Sequence, residues 1–179
     1  DKDKLSELAG REVFPEDFSV RKAYRKESLL CLDGNTYELN EKITIIACCN
    51  VPVAIAGVLG GLNSSVTDST TSIYLEAAVF NPTSIRKSSK EIGIRTESSS
   101  RFEKGISYKN TVNSVTRAIN LIQEFFQVSN PIINISSELN IKDSIINLRR
   151  DRIHKILGPI VVGNNEKNSL SSSKRMISD

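Results

Sequence analysis

The feature that most constrains this chain is a series of apolar, β-branched runs separated by turn-forming residues across its first half. Leu29 to Leu32, then Asp33-Gly34, then Thr36 to Leu39 read as a β-hairpin, because Asp-Gly suits a two-residue turn whose central positions both need positive φ. Ile43 to Cys49 reads as a buried strand, and Val51 to Val58 as another. Phe18 to Ala23 roughly alternates polar and apolar residues, as a half-buried strand does. Ile73 to Phe80 is a further strand candidate, interrupted by one charge, Glu76.

Helical signals follow. Asn81-Pro82 predicts a helix start, since Asn caps a first turn and Pro suits the first helical position; Gly93 ends that helix after Ile92. Arg95 to Ser100 reads as a Thr- and Ser-rich loop. Asn110 to Gln127 is the clearest helix: Val112, Val115, Ala118, Ile119, Ile122 and Phe126 recur at helical spacing and predict one buried stripe. Ser129 to Asn140 has the composition of a boundary. Beyond it, Ile145 to Leu148 reads as a short strand and Asp151 to Leu157 as a short helix. The organisation expected is an α+β domain of mixed sheets packed with helices over 1–130, a linker over 131–143, and the start of a second domain over 144–179.

Composition narrows the function classes. Hydrophobic residues make up 39% and charged residues 25%, a globular balance. No apolar run approaches the roughly 18 residues of a membrane span. The charged start, Asp1-Lys2-Asp3-Lys4, resembles neither a signal peptide nor a transit peptide, and the missing initiator Met suggests a truncated or processed chain. A net charge of +3 gives no basic footprint for nucleic acid. Cys31, Cys48, Cys49 and one histidine, His154, lack the spacing of a zinc site, so reduced thiols are expected.

Several residues invite a chemical reading. Glu76 lies in an apolar run: either it points to solvent, or it projects into a pocket as a hydrogen-bond acceptor. Gly57-Val58-Leu59-Gly60-Gly61 fits a tight turn, and its spacing matches neither phosphate-binding fingerprint. Thr96, Ser98, Ser99 and Ser100 either cap their own loop or position a water. With its single histidine in the second segment, a Ser-His-Asp triad has little support. Phe102 is expected in the core, with Arg101 and Glu103 tying the loop down. His154 reads as a surface or packing residue.

Taken in order, Gly57 to Gly61 (GVLGG), Tyr74 to Phe80 (YLEAAVF), Arg95 to Gly105 (RTESSSRFEKG) and Asn147 to Gly158 (NLRRDRIHKILG) resemble the β subunit of phenylalanyl-tRNA synthetase. The first three match its editing domain, and the last matches the opening of the next, nucleic-acid-binding-like domain. The resemblance implies a parent ligase that attaches phenylalanine to tRNA(Phe) with ATP and Mg²⁺, with no cofactor or metal in this piece. Its implied partners are the α subunit, in an α₂β₂ tetramer, and tRNA(Phe), with no membrane. By the same resemblance the domain hydrolyses tyrosine wrongly attached to that tRNA. Glu76 reads the tyrosine hydroxyl, Gly60 and Gly61 line the pocket, and Thr96 helps place the attacking water. Ser98 stands at a wall position where many relatives carry Ala. The family also draws a histidine and an arginine from a segment upstream of where this chain starts. A non-catalytic structural or tRNA-contacting domain, or a freestanding editing module, are the alternative readings. The abundance of Ile, Asn, Lys and Ser suggests AT-rich coding and, with it, a plastid location; a bacterial cytoplasm is the alternative.

Overall fold

The chain begins with a helix that its charge pattern concealed. In the computed structural model, which describes residues 1–126, 128 and 146–157, helix α1 runs over Lys2–Ala9. The Asp1 carboxylate accepts from the backbone N–H groups of Asp3 and Lys4, and Gly10 closes the helix at φ 68°. Only Leu5 is buried, so the helix rests on its caps more than on an apolar face.

A four-stranded antiparallel sheet follows, in the order β1-β4-β5-β6: β1 is Phe18–Lys22, β4 Thr44–Cys48, β5 Val51–Ile55 and β6 Leu59–Gly60. β4 is the central apolar strand, with Ile45, Ile46, Ala47 and Cys48 all buried. β2 (Ser28–Leu30) and β3 (Thr36–Glu38) form the expected hairpin. Its connection runs over five residues, and only Gly34, at φ 80°, takes positive φ. The two-residue turn lies elsewhere. Cys49 and Asn50, at φ 48° and 66°, join β4 to β5 with Cys48 opposite Val51, the geometry of a primed turn. Backbone bonds from Leu32 to Gly60 (3.0 Å) and Leu62 to Leu30 (2.8 Å) dock the β2–β3 hairpin beside β6, and one from Gly61 to Val53 (2.9 Å) ties the chain after β6 to β5.

Helix α2 spans Pro82–Ile92, with Asn81 capping Ser84 N–H and Gly93 at φ 73°, as the sequence predicts. Its buried Ser88 Oγ accepts from Thr44 N–H (2.9 Å), and Ile85 is buried in the core, which seats the helix on the central sheet. Helix α3 covers Glu97–Phe102 and α4 Tyr108–Phe125.

Further expectations need correction. The strand expected over Val51 to Val58 ends at Ile55 and turns through Gly57 into β6. Residues 73–80 form no strand: among the described residues their backbone joins no ladder. Most of the loop expected over Arg95 to Ser100 is helical, because Thr96 caps a turn that begins at Glu97. The α4 stripe is not core: Val115, Ala118, Ile119 and Ile122 are half-buried, Val112 is exposed, and Phe126 is 66% exposed.

The chain divides into two compact units, 1–134 and 135–179. In the second, helix α5 (Arg150–Leu157) carries His154, while 146–148, expected in a strand, have no regular structure. Ile145, the linker expected over 131–143 and the polar tail after Gly163 lie outside the described residues.

Candidate functional site

The Asp1–Asn134 unit contains an apolar-walled cleft of about 770 Å³. Most of it is built by the β5–β6 turn, the segment 75–78, α3 and the first turns of α4, with Leu32, Ile46 of β4 and Ala54 of β5 also in the lining. The first three are held by identifiable contacts.

The segment carrying Glu76 is pinned at both ends by aromatic rings. Tyr74 packs edge-on against Phe18, 5.1 Å between centroids, and its hydroxyl donates to the Val13 carbonyl (2.5 Å). Phe80 packs against Phe102, also at 5.1 Å. Between these anchors, Leu75, Glu76, Ala77 and Ala78 line the cleft. The Glu76 carboxylate makes no hydrogen bond or ion pair with a described residue. Glu76 as a residue is exposed, so it stays in contact with water, while the protein crowding its carboxyl removes part of that hydration and pushes it above the ordinary carboxylate value. Among the described residues, the only other titratable one in the lining is Glu97, which pairs with Arg101 at 3.2 Å.

The α3 end is bolted to the β5–β6 turn by two hydroxyls. Thr96 Oγ1 donates to the Val58 carbonyl (2.7 Å) and accepts from Ser99 N–H (3.0 Å). Ser98 Oγ donates to the Gly57 carbonyl (3.1 Å). A hydroxyl has one proton. Both protons are therefore spent on backbone carbonyls, and what Thr96 and Ser98 can offer a ligand is lone pairs. Ser99, fully buried, returns a bond to the Thr96 carbonyl (3.1 Å). Phe102 is half-buried against Phe80, and Glu103 takes Arg95 (2.6 Å) while Arg101 turns to Glu97.

The glycines divide. Gly57 sits at φ 63°, and a Cβ there would meet Phe80, Ile85 and Phe102 at 3.1 to 3.2 Å, so it is the packing junction of turn, α2 and α3. Gly60 lines the cleft beside Leu32. Gly61 is buried behind it, and a Cβ there would fall 2.5 Å from the Val53 carbonyl oxygen. The structure thus gathers Glu76, Thr96, Gly60 and Ser98 around one cleft and leaves Gly61 in the strand junction.

The sequence reading did not single out Leu32, Ile106, Asn110, Thr111 or Ser114, which complete the lining, and it assigned Val115 and Ala118 to a core stripe. Alternation of Asn, Thr and Ser along one flank of α4 looks like solvated surface until the opposite wall is known. The cysteines are free. Burial pushes the thiols of Cys31 and Cys48 up to about 11, so neither is a thiolate at neutral pH. Among the described residues, no cluster of three or more His, Cys, Asp or Glu side chains gathers, and no helix is long and apolar enough to cross a membrane.

Comparison with known proteins places this architecture. The B3/4 domain family matches residues 1–127. A phenylalanine–tRNA ligase beta subunit of Prochlorococcus marinus subsp. pastoris is 66% identical over 180 residues, covering 100% of this chain and 22% of that protein. The same subunit from another Prochlorococcus marinus strain is 62% identical over 175 residues, with coverage of 97% and 22%. That of Parasynechococcus marenigrum is 35% identical over 160 residues, with coverage of 89% and 20%. The chain spans about a fifth of the length of the curated relatives it matches. With an α+β sheet-and-helix architecture and a family match running from Asp1 into the end of α4, the chain belongs to the B3/4 domain family.

Proposed function

We propose that this chain is the editing region of a phenylalanine–tRNA ligase β subunit and that its cleft removes tyrosine from mischarged tRNA(Phe). The observation that carries the reading is Glu76, an unpaired carboxylate in a largely apolar cleft, held between two aromatic anchors. Tyrosine and phenylalanine differ by one hydroxyl, and an apolar pocket rejects an added hydroxyl by only about 10²-fold. A pocket that offers the hydroxyl an acceptor reverses the preference, because phenylalanine leaves that polar group desolvated and unpaired. Thr96 Oγ1, its proton already given to Val58, accepts from a water near the ester rather than donating to it. Ser98 keeps its lone pairs toward the same wall while its proton holds Gly57.

In this reading the partners are the α subunit, in an α₂β₂ assembly, and tRNA(Phe). ATP and Mg²⁺ serve the aminoacylation half of the parent enzyme. The domain limits are 1–130 and 144–179 with a linker between. The relatives reported above are bacterial, which favours a bacterial cytoplasm over the plastid expected from composition.

A non-catalytic role has one specific observation behind it: the Thr96 and Ser98 hydroxyls both act as bolts between α3 and the β5–β6 turn. The assembled synthetase, with and without Glu76→Ala, separates the readings by hydrolysis of Tyr-tRNA(Phe). Hydrolysis that disappears or loses its preference for Tyr over Phe in the variant is the expected result. An intact enzyme that charges phenylalanine yet never clears tyrosine makes the domain a scaffold.

A further inference from the structure

Away from the cleft, the end of the central sheet gathers a second set of reactive groups: Arg11, Asp17, Cys48 and Cys49, none of which lines the cleft. Cys48 ends β4 and is only 2% exposed, while Cys49 opens the primed turn and is half-buried. Successive residues of a strand point to opposite faces. Cys49, at φ 48°, departs from that alternation, and its thiol lies against the Cys48 thiol and donates to the Asp17 carboxylate. The Cys49 N–H also donates to the Asp17 carbonyl (3.0 Å), and Arg11 Nη1 holds the Asp17 carboxylate (3.0 Å). Two thiols are thus kept side by side, one deep and one at the surface.

Two neighbouring thiols can close on each other or around a third atom. A direct disulfide is strained at this spacing: adjacent Cα atoms stand about 3.8 Å apart across a trans peptide, below the roughly 4.4 Å at which disulfide geometry begins. An inserted atom lengthens the bridge and relieves that constraint. Ligand number then selects the atom. A structural zinc ion takes four ligands, and among the described residues Cys48, Cys49 and Asp17 do not converge even as a set of three. A trivalent arsenical carries its own third substituent and needs only two sulfurs. Its adduct with two thiols is uncharged, which suits a sulfur as buried as that of Cys48.

We propose that Cys48 and Cys49 form a vicinal dithiol site that captures trivalent arsenicals of the form R–As(OH)₂. Two S–As bonds form and two As–O bonds break. Each thiol proton leaves with an arsenic-bound hydroxyl, so two waters are released and no atom changes oxidation state. Cys49, at the surface and oriented by Asp17, reacts first, and Cys48 closes the ring from inside. The closed ring ties the end of β4 to the first residue of the turn.

The test uses the full-length protein that carries this chain and phenylarsine oxide, which is hydrated to the dihydroxy form in water. Labelling is run under native conditions and in urea, and the adduct is mapped by mass spectrometry. The expected result is a native adduct on the peptide carrying residues 48 and 49 that resists excess monothiol and is released by a small dithiol. Cys48→Ala and Cys49→Ser should each weaken binding at that peptide by about 10²-fold, because the second S–As bond forms within one molecule. Cys31→Ala leaves the adduct unchanged. Should the buried Cys48→Ala fail to fold, Cys49→Ser, in the half-buried turn position, decides alone. No adduct at that peptide, an adduct that forms only in urea, or one that survives the Cys49 substitution or yields to monothiol overturns the site.

Discussion

Gly60 and Gly61 are neighbours in sequence, yet the same substitution at each should have opposite consequences. Neither has positive φ, so alanine is allowed by the backbone and the cost is steric. At Gly61 the new Cβ falls 2.5 Å from the Val53 carbonyl oxygen and 3.2 Å from Leu29 Cδ1. The first obstacle is backbone and cannot rotate away. β5 and the chain after β6 must separate, which also stretches the 2.9 Å bond from Gly61 N–H to that carbonyl. Overpacking costs about 1–3 kcal/mol and a weakened hydrogen bond about 1 kcal/mol, so Gly61→Ala should destabilise by about 2–4 kcal/mol. At Gly60 the nearest atom is Leu32 Cδ1, at 3.0 Å. Leu32 is 53% exposed and free to turn, so Gly60→Ala should cost less than about 1 kcal/mol. It narrows the cleft instead and should slow Tyr-tRNA(Phe) hydrolysis in the assembled enzyme. Urea unfolding measures the first effect as a shift in midpoint at constant slope. A Gly61→Ala chain no less stable than Gly60→Ala would refute the steric argument.

Three further outcomes follow from individual contacts. Thr96→Val removes both the α3 cap and the bond to Val58, and should cost about 2 kcal/mol in urea unfolding, while Thr96→Ser keeps both and stays within about 0.5 kcal/mol; equal losses would sink the two-bond account. Glu76 has a folded pKa raised by burial, so the folded state prefers the neutral acid. The unfolded chain loses the proton first, and stability falls as pH rises from the ordinary carboxylate value through the raised one. Unfolding midpoints of wild type and Glu76→Gln, compared from about pH 4 to pH 7, should therefore diverge with the wild type losing ground, and parallel curves would count against burial. Asn50 sits at φ 66° in the primed turn, so Asn50→Gly should raise stability by about 0.5–1 kcal/mol, and a lowered thermal midpoint would contradict that assignment of strain.

The parts of the fold legible in the sequence are those set by local rules. Asn81, Pro82 and Gly93 specify the ends of α2 through one cap, one ring and one left-handed residue, each acting within its own turn. β4 is legible because four consecutive buried apolar residues suit a strand covered on both faces. Local rules also misled. Asp33-Gly34 is a hairpin signal, but the tight turn formed at Cys49-Asn50, where the flanking strands β4 and β5 pair and impose positive φ on Cys49, which does not favour it, beside Asn50, which tolerates it better than most residues. Ile73 to Phe80 has strand composition, yet it finds no described strand edge to pair with, and its position is set by side-chain packing, that of Tyr74, Ala78 and Phe80.

That distinction also explains the site. Alternation along a strand assigns a residue to one face or the other, and Glu76 read that way either faces solvent or costs a buried charge. A segment outside any ladder has no such alternation. Pinned at Tyr74 and Phe80, it can lay Leu75, Glu76, Ala77 and Ala78 together along one wall, so the carboxylate reaches a cleft without being sealed in a core. The hydroxyls of Thr96 and Ser98 pose the reverse problem. Their chemistry is plain in the sequence, but where each proton goes depends on carbonyls some forty residues earlier, at Val58 and Gly57. Those two bonds leave the Thr96 and Ser98 hydroxyls able to accept but not to donate. Any ligand that bonds to Thr96 Oγ1 must therefore bring the hydrogen itself. The same bonds that make the wall look structural thus fix what its two hydroxyls can offer a ligand.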